Sequence, residues 1–167
     1  SFEADRKAIP SSVKPGQQQV TGWLTTIIDG NKIEIGSANS AILNHMNNES
    51  DRKLVIGEKS LNISDKVDFK RKVSQVIASS PYVNLKDERY TLTAKVRNSA
   101  GFTKLEMYAE SNGKALNYSI KDENVSWQTI TLTNIPVKAG KVEIGFVGEG
   151  AANAFCYVDD LSLIEAQ

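Results

Sequence analysis

The sequence predicts an all-β protein, an antiparallel β-sandwich of the jelly-roll type. Short segments alternate between apolar and polar side chains, as strands with one buried face do, and turn residues separate these segments. The clearest of them, residues 89–97, places Tyr90, Leu92, Ala94 and Val96 on one face. No segment carries the apolar periodicity of a helix over a length that would form one. These two observations together favour a sandwich of two sheets.

The predicted strands follow one another with turn signals between them. In order, they cover residues 20–28, 32–35, 54–56, 60–63, 72–78, 89–97, 104–110, 116–120, 127–133, 142–147 and 154–164. Asp29-Gly30 predicts a tight hairpin turn between the first two strands. Residues 6–19 are rich in Pro and Gln and predict a loop. Residues 37–53 predict a polar crossing, in which residues 41–43 form a short helical turn or a short strand.

Length, composition and charge limit the class of protein. The 167 residues suffice for one domain, residues 1–167, that buries about two thirds of its extended surface. Twenty basic and 20 acidic side chains leave no net charge, which argues against a surface for nucleic acid or an anionic membrane. No apolar run reaches the length of a transmembrane helix. Because the chain begins at Ser1 rather than Met, we expect a trimmed export product that is secreted, periplasmic or displayed on the cell surface.

The last predicted strand carries an acidic residue inside an apolar row. Phe155, Tyr157, Leu161 and Leu163 share one parity, and Asp159 lies between them. An ionised carboxylate on a core-directed face is costly unless it is hydrogen-bonded or binds a cation. The sequence therefore predicts a partner for Asp159. A position at the strand entrance, half in water and capped by backbone donors, is the alternative explanation.

The residues that most often carry catalysis are sparse. Cys156 is the one cysteine and His45 the one histidine. Cys156 cannot form an internal disulfide and is expected to be a small buried hydrophobic side chain. His45 has no nucleophile motif beside it, and one His with one Cys does not make a zinc site. Glu106 and Glu110 share a strand face but lie roughly 13 Å apart, too far for the carboxylate pair of a glycoside hydrolase. The sequence therefore predicts that the protein is not an enzyme.

Several stretches, taken in their order along the chain, resemble one fold family. They are Ser1-Phe2-Glu3, Gly22-Trp23, Gly57-Glu58-Lys59-Ser60-Leu61, residues 90–97, Trp127 and residues 157–163. Together they resemble the galactose-binding-domain-like β-sandwich, and most of all the carbohydrate-binding modules of families four, nine, sixteen and twenty-two. The resemblance implies a non-catalytic module that binds an oligo- or polysaccharide within a larger exported polysaccharide-processing system. The alternative is a structural or protein-interaction module of the same fold in an exported assembly.

The resemblance also implies a structural calcium ion that joins the two ends of the chain. In that family the ligands are the Glu of the opening motif, an Asp of the closing pair and a backbone carbonyl near the glycine turn. Matched by position, these are Glu3, either Asp159 or Asp160, and the carbonyl of Lys59. Calcium accepts such a mixture of carboxylates and carbonyls. Some members carry a further carboxylate where this chain has Ile56.

Strand parity suggests a sugar-binding surface. Tyr108 is expected to be exposed on the sheet face opposite the core, where its ring can pack against a pyranose. The charged residues expected beside it on that face are Lys95, Arg97, Glu106 and Glu110. The alternative is an ordinary solvated sheet face with cross-strand ion pairs. Trp23 is a second candidate for ligand binding, whereas Trp127 is expected to be structural. If the face is covered, the site is expected at the loop edge near Trp23 and Asn153.

Overall fold

The computed structural model describes residues 2–3, 10–11, 13–14, 16–36, 42–44, 57 and 59–167, with residues 42–44 described as backbone alone. The strands are β1 (Leu24–Asp29), β2 (Lys32–Gly36), β3 (Ile42–Asn44), β4 (Lys59–Ser64), β5 (Phe69–Ala78), β6 (Arg89–Asn98), β7 (Phe102–Ser111), β8 (Lys114–Ser119), β9 (Asn124–Pro136), β10 (Lys141–Gly150) and β11 (Phe155–Glu165). A helix that crosses a membrane needs about 20 apolar residues, and the described part of the chain contains no such helix.

The strands form two sheets. The six-stranded sheet has the order β2-β1-β5-β10-β7-β8, and the five-stranded sheet has the order β3-β4-β11-β6-β9. Every strand pairing among the described residues is antiparallel. The predicted all-β, antiparallel sandwich is therefore confirmed. The consecutive strands β6 and β7 lie in different sheets, so the chain crosses from one sheet to the other between them.

Apolar side chains from both sheets form one core. The five-stranded sheet contributes Leu61, Ile63, Leu92, Val96 and Val158, and the six-stranded sheet contributes Val73, Leu105, Met107, Ile144 and Phe146. Each of these side chains is at most 2% exposed. Burial of a side chain of this size contributes about 1.5–3 kcal/mol. The alternation that predicts the strands is thus also the source of the packing between the sheets. The outer face of each sheet is the face turned away from this core.

The predicted strands from residue 60 onward correspond to β4 through β11, with small shifts at their ends. The first strand begins later than predicted, because Gly22 lies in a turn with φ of 79°. Residues 42–44 pair with β4 and so form a strand rather than a helical turn. The strand predicted at residues 54–56 lies outside the described residues.

Candidate functional site

Tyr108 lies on the outer face of the six-stranded sheet, as its parity predicts, but it is only 6% exposed. Its ring packs over Gly145, the residue opposite it on β10. The Tyr108 hydroxyl donates a hydrogen bond to Glu143 Oε1 at 2.6 Å. Lys72 Nζ lies 5.2 Å from the ring centroid. The expected exposure of Tyr108 is therefore wrong, because side chains from β5 and β10 already occupy the surroundings of its ring.

Glu143 binds both polar groups beside the Tyr108 ring, the Tyr108 hydroxyl and the Lys72 ammonium group. Its Oε1 also accepts from Lys72 Nζ at 2.7 Å. Burial raises the pKa of Glu143, but the hydrogen bonds from Lys72 and Tyr108 outweigh that effect, so the pKa lies below its usual value. Burial, followed by the hydrogen bond to Glu143 and then by the charge of Glu143, raises the pKa of Tyr108. Tyr108 is thus a neutral hydrogen-bond donor to an ionised carboxylate.

The five residues expected on one face are divided between the two sheets. Glu106 and Glu110 lie on β7 with Tyr108, whereas Lys95 and Arg97 lie on β6 in the five-stranded sheet. The single face predicted for them is therefore wrong. Period-two alternation is the same on a strand of either sheet, so parity could not reveal the crossing between β6 and β7.

Both tryptophans are 6% exposed. Trp23 belongs to the core and packs against Phe2, with ring centroids 5.8 Å apart and an interplanar angle of 45°. Its ring is therefore not a surface for ligand stacking, which corrects the second candidate. Trp127 is buried on β9, in agreement with a structural side chain.

The first half of β11 has the opposite orientation to the one predicted. Cys156 and Val158 are fully buried in the core, which confirms Cys156 as a small buried hydrophobic residue. Phe155 and Tyr157 therefore lie on the outer face, where both are half-buried. Their rings stack with centroids 4.5 Å apart and an interplanar angle of 18°.

A β-bulge reverses the orientation of the strand after Asp159. The register with β6 shifts between Asp159 and Ser162, where one extra residue enters β11. Asp160 takes a φ of 48°, in the left-handed region. After the bulge Leu161 and Leu163 pack against the core. The apolar row seen in the sequence is therefore two rows on opposite faces.

The outward-facing aromatic pair forms one wall of a cavity of about 410 Å³, named here the Tyr157 groove. The residues that define the groove are Gln17, Asn62, Asp65, Asn153, Phe155 and Tyr157. On β4, Asn62 lies opposite Tyr157 and Ser64 lies opposite Phe155. Arg97 lies opposite Tyr157 on β6, with its Cζ 6.0 Å from the ring centroid. Parity on neighbouring strands thus brings aromatic and polar groups to one surface.

Two amide side chains of the groove have unsatisfied oxygens. Gln17 Nε2 donates to the Ser64 carbonyl at 3.2 Å. Gln17 Oε1 and Asn62 Oδ1 are buried, and neither accepts a hydrogen bond in the part of the chain that the structure describes. Buried acceptors are normally paired with protein, water or ligand donors. Among the described residues, each of these two oxygens therefore keeps an unused acceptor.

Asp65 lines the groove and is held in place by several polar contacts. Its carboxylate pairs with Lys14 Nζ at 3.0 Å and with Arg71 Nη2 at 2.8 Å. Arg71 is 1% exposed, and its Nη1 donates to the Ser64 carbonyl at 2.8 Å. The Asn153 N–H donates to the Asp65 carbonyl at 2.8 Å. Burial raises the pKa of Asp65, but Lys14, the Lys66 amide and Arg71 together hold it below its usual value.

The predicted calcium ligands lie at the start of β4 and at the bulge of β11. Glu3 Oε1 accepts the Lys59 N–H at 2.7 Å. Gly57 adjoins Glu3 so closely that a Cβ there would lie 2.5 Å from Glu3 Cδ, so a larger residue would displace the Glu3 carboxylate. Asp159 is fully buried, and its Oδ1 accepts the Asp160 N–H at 2.8 Å. The pKa of Asp159 is raised to about 7, chiefly by burial and also by the charges of Asp160 and Glu3, although the hydrogen bond from the Asp160 amide acts to lower it.

These oxygen donors are of the kind that calcium binds, and a cation would relieve the repulsion that the charges of Asp160 and Glu3 exert on Asp159. Within the described ranges, however, no group of three or more His, Cys, Asp or Glu side chains is placed to hold a metal ion. Calcium binding by Glu3, Asp159 or Asp160 and the Lys59 carbonyl therefore stays a prediction. Ile56 and His45 lie outside the described residues.

The chain resembles known proteins in fold rather than in sequence. No family model matches the sequence, and no curated protein matches it. Among solved structures, the carbohydrate-binding module TmCBM61, in complex with β-1,4-galactotriose, superposes with a TM-score of 0.64 at 17% identity and covers 87% of this chain and 90% of its own. The CBM22-1 xylan-binding domain of Xyn10C from Paenibacillus barcinonensis has a TM-score of 0.52 at 16% identity, with coverages of 89% and 90%.

One similar structure comes from an enzyme. The enzymatically active domain of tailspike protein 4 of bacteriophage CBA120 has a TM-score of 0.55 at 16% identity and matches 92% of this chain but 21% of its own. At these identities the similarity establishes the fold. The chain has the β-sandwich fold of carbohydrate-binding modules, which confirms the resemblance inferred from its sequence motifs.

Proposed function

We propose that the protein is a non-catalytic carbohydrate-binding module and that an oligosaccharide binds in the Tyr157 groove. The observation that carries the proposal is the stacked pair of Phe155 and Tyr157 beside the unsatisfied amide oxygens of Asn62 and Gln17. Sugars present apolar C–H surfaces together with hydroxyl donors. A site that combines aromatic rings with buried acceptors matches both features.

The size and composition of the groove support this ligand class. Its volume of about 410 Å³ lies within the range of about 300–1,000 Å³ that is usual for small-molecule sites. Lys14 and Arg71 hold the Asp65 carboxylate, and the Asn153 N–H holds the Asp65 carbonyl, so the site is largely formed before a ligand arrives. A preformed site loses less conformational entropy on binding.

A non-catalytic role is consistent with the carboxylates of the groove. Asp65 is the one carboxylate among its described lining residues, and it is engaged by two cations. Glycoside hydrolysis normally requires two carboxyl groups, about 5–5.5 Å or about 6.5–9.5 Å apart. The shared fold with TmCBM61, whose structure contains β-1,4-galactotriose, also supports sugar binding. We further propose that the module acts outside the cell, in a system that processes polysaccharides.

The test is binding of the wild-type protein to a broad array of neutral and acidic oligosaccharides, followed by calorimetry with the best ligand. Tyr157→Ala and Asn62→Ala are each expected to weaken binding at least several-fold, because the first removes a stacked ring and the second an acceptor. Tyr118→Ala is the matched control, since Tyr118 is 40% exposed on β8 in the other sheet. Equal affinity of Tyr157→Ala and wild type would overturn the location of the site. Failure of the folded wild type to bind any glycan would overturn the function.

A further inference from the structure

Strand β2 forms one edge of the six-stranded sheet and carries exposed isoleucines. Ile33 is 62% exposed and Ile35 is 65% exposed. They share the outer face with Leu24 and Ile28 of β1, which are 46% and 39% exposed. Within the residues that the structure describes, β1 is the one strand paired with β2. An apolar edge strand of this kind is a template for pairing with another strand.

The hairpin geometry indicates which backbone groups face that edge. Asp29 lies opposite Lys32 across the two-residue turn of Gly30 and Asn31. Positions that flank such a turn exchange backbone hydrogen bonds, and the pattern then alternates along the strand. Lys32 and Glu34 are thus expected to bond to β1, while Ile33 and Ile35 direct their amides away from it.

The order of charges on β2 is self-complementary about Ile33. In an antiparallel pairing of two copies with the twofold axis at Ile33, that residue lies opposite its own counterpart. Lys32 then lies opposite the partner's Glu34, and Glu34 lies opposite the partner's Lys32. Within one chain, Lys32 and Glu34 already form an ion pair. In the pairing of two copies, each charge therefore gains a second neighbour of opposite sign, and the apolar surfaces around Ile33 join.

We propose that two copies of this chain associate through β2 in this register, so that their six-stranded sheets become continuous. We infer that the partner at this edge is a second copy of the chain, because Lys32 and Glu34 of one copy match Glu34 and Lys32 of the other. Such a contact is isologous, since both copies use the same surface. A contact limited to two short edge strands is small, so we expect a reversible dimer that dissociates on dilution. This inference goes beyond the proposed function. The Tyr157 groove lies on the other sheet, so both grooves remain open in the dimer.

Charge reversal tests the partner and the register together. Sedimentation velocity over a concentration series is expected to show a monomer–dimer equilibrium for the wild type. Lys32→Glu and Glu34→Lys should each weaken association at least ten-fold, because like charges then lie opposite one another. The double variant Lys32→Glu/Glu34→Lys should restore association, as should mixing the two single variants. A wild type that stays monomeric at all concentrations, or a double variant that fails to recover, would overturn the proposal.

Cysteine cross-linking gives a second readout of the axis. Under mild oxidation, Ile33→Cys is expected to form a disulfide-linked dimer, since opposite positions of an antiparallel pair lie within disulfide distance. Ile35→Cys is the matched control, because Ile35 lies opposite the partner's Asn31 in this register. Cys156 is fully buried and should not contribute cross-links. Cross-linking of Ile35→Cys as efficient as that of Ile33→Cys would contradict the register.

Discussion

The ring of Tyr108 lies directly over Gly145, its cross-strand neighbour, and a Cβ on Gly145 would come within 3.0 Å of Tyr108 Cε1. The same Cβ would lie 2.2 Å from the Val73 carbonyl oxygen. An aromatic ring that covers a cross-strand glycine shields the backbone of the sheet from water. Here the glycine creates the space that the ring fills.

Tyr108→Ala is therefore expected to destabilise the fold by about 3 kcal/mol, in the range for truncation of a buried aromatic side chain. The loss arises because Glu143 loses the hydrogen bond from Tyr108, Lys72 loses its contact with the ring, and Gly145 becomes exposed. Denaturant unfolding measures the effect, and Tyr118→Ala, which truncates a more exposed tyrosine, should cost much less. A loss below about 1 kcal/mol for Tyr108→Ala would mean that the ring is more mobile than its contacts indicate.

Asp65 should make stability sensitive to acid. Its folded pKa lies below the ordinary value, so the unfolded chain takes up a proton at higher pH than the folded chain does. Its contribution is thus fully present above the unfolded pKa, about 3.9, and is lost as the pH falls through the folded pKa. Unfolding measured at pH 7 and at pH 3 should show a smaller difference for Asp65→Asn than for the wild type. The same difference in both proteins would contradict this account.

Arg71 should contribute more to stability than Lys14, although both pair with Asp65. Arg71→Met leaves the Asp65 carboxylate and the Ser64 carbonyl without their buried donors, and removal of one partner of a buried pair costs about 3–5 kcal/mol. Lys14 has a side chain that is 35% exposed, so Lys14→Ala should cost less than about 1 kcal/mol. Equal losses of unfolding free energy for the two variants in chemical denaturation would show that burial does not set the strength of these two ion pairs.

A calcium ion, if bound by Glu3 and Asp159, should stabilise the native state by mass action, because the unfolded chain does not assemble the ligands. Excess chelator is then expected to lower the melting temperature of the wild type by several degrees. Glu3→Ala and Asp159→Ala should each lose this response to chelator, whatever their own melting temperatures. An unchanged wild-type melting curve in chelator would leave Asp159 as a hydrogen-bonded carboxylate of the strand bulge.

The strands could be predicted from the sequence because each one needs an apolar face toward the core, and that need is visible in single segments such as β6. The assignment of strands to sheets could not, since β6 and β7 carry the same alternation in different sheets. The burial of Tyr108 depends on Lys72 and Glu143, which come from strands distant in sequence. Such neighbours are set by topology and leave no local signal.

The candidate site is hidden in the sequence for a related reason. Strict alternation along the whole strand places Phe155 and Tyr157 in the core together with Leu161 and Leu163. The bulge at Asp160 interrupts that alternation, and an Asp at this position is not by itself a sign of a bulge. Parity is reliable only between irregularities of the backbone.

The single extra residue in β11 shifts the inward and outward alternation of all the residues that follow it. If the strand ran through Asp160 without the bulge, strict alternation would extend from end to end, and one half would have to turn over. If Leu161 and Leu163 kept their contacts with the core, Phe155 and Tyr157 would point inward, and Cys156 and Val158 would face water. The aromatic residues of the Tyr157 groove and the core residues Cys156 and Val158 thus lie on one strand. The left-handed conformation of Asp160 allows this strand to present both sets on opposite faces.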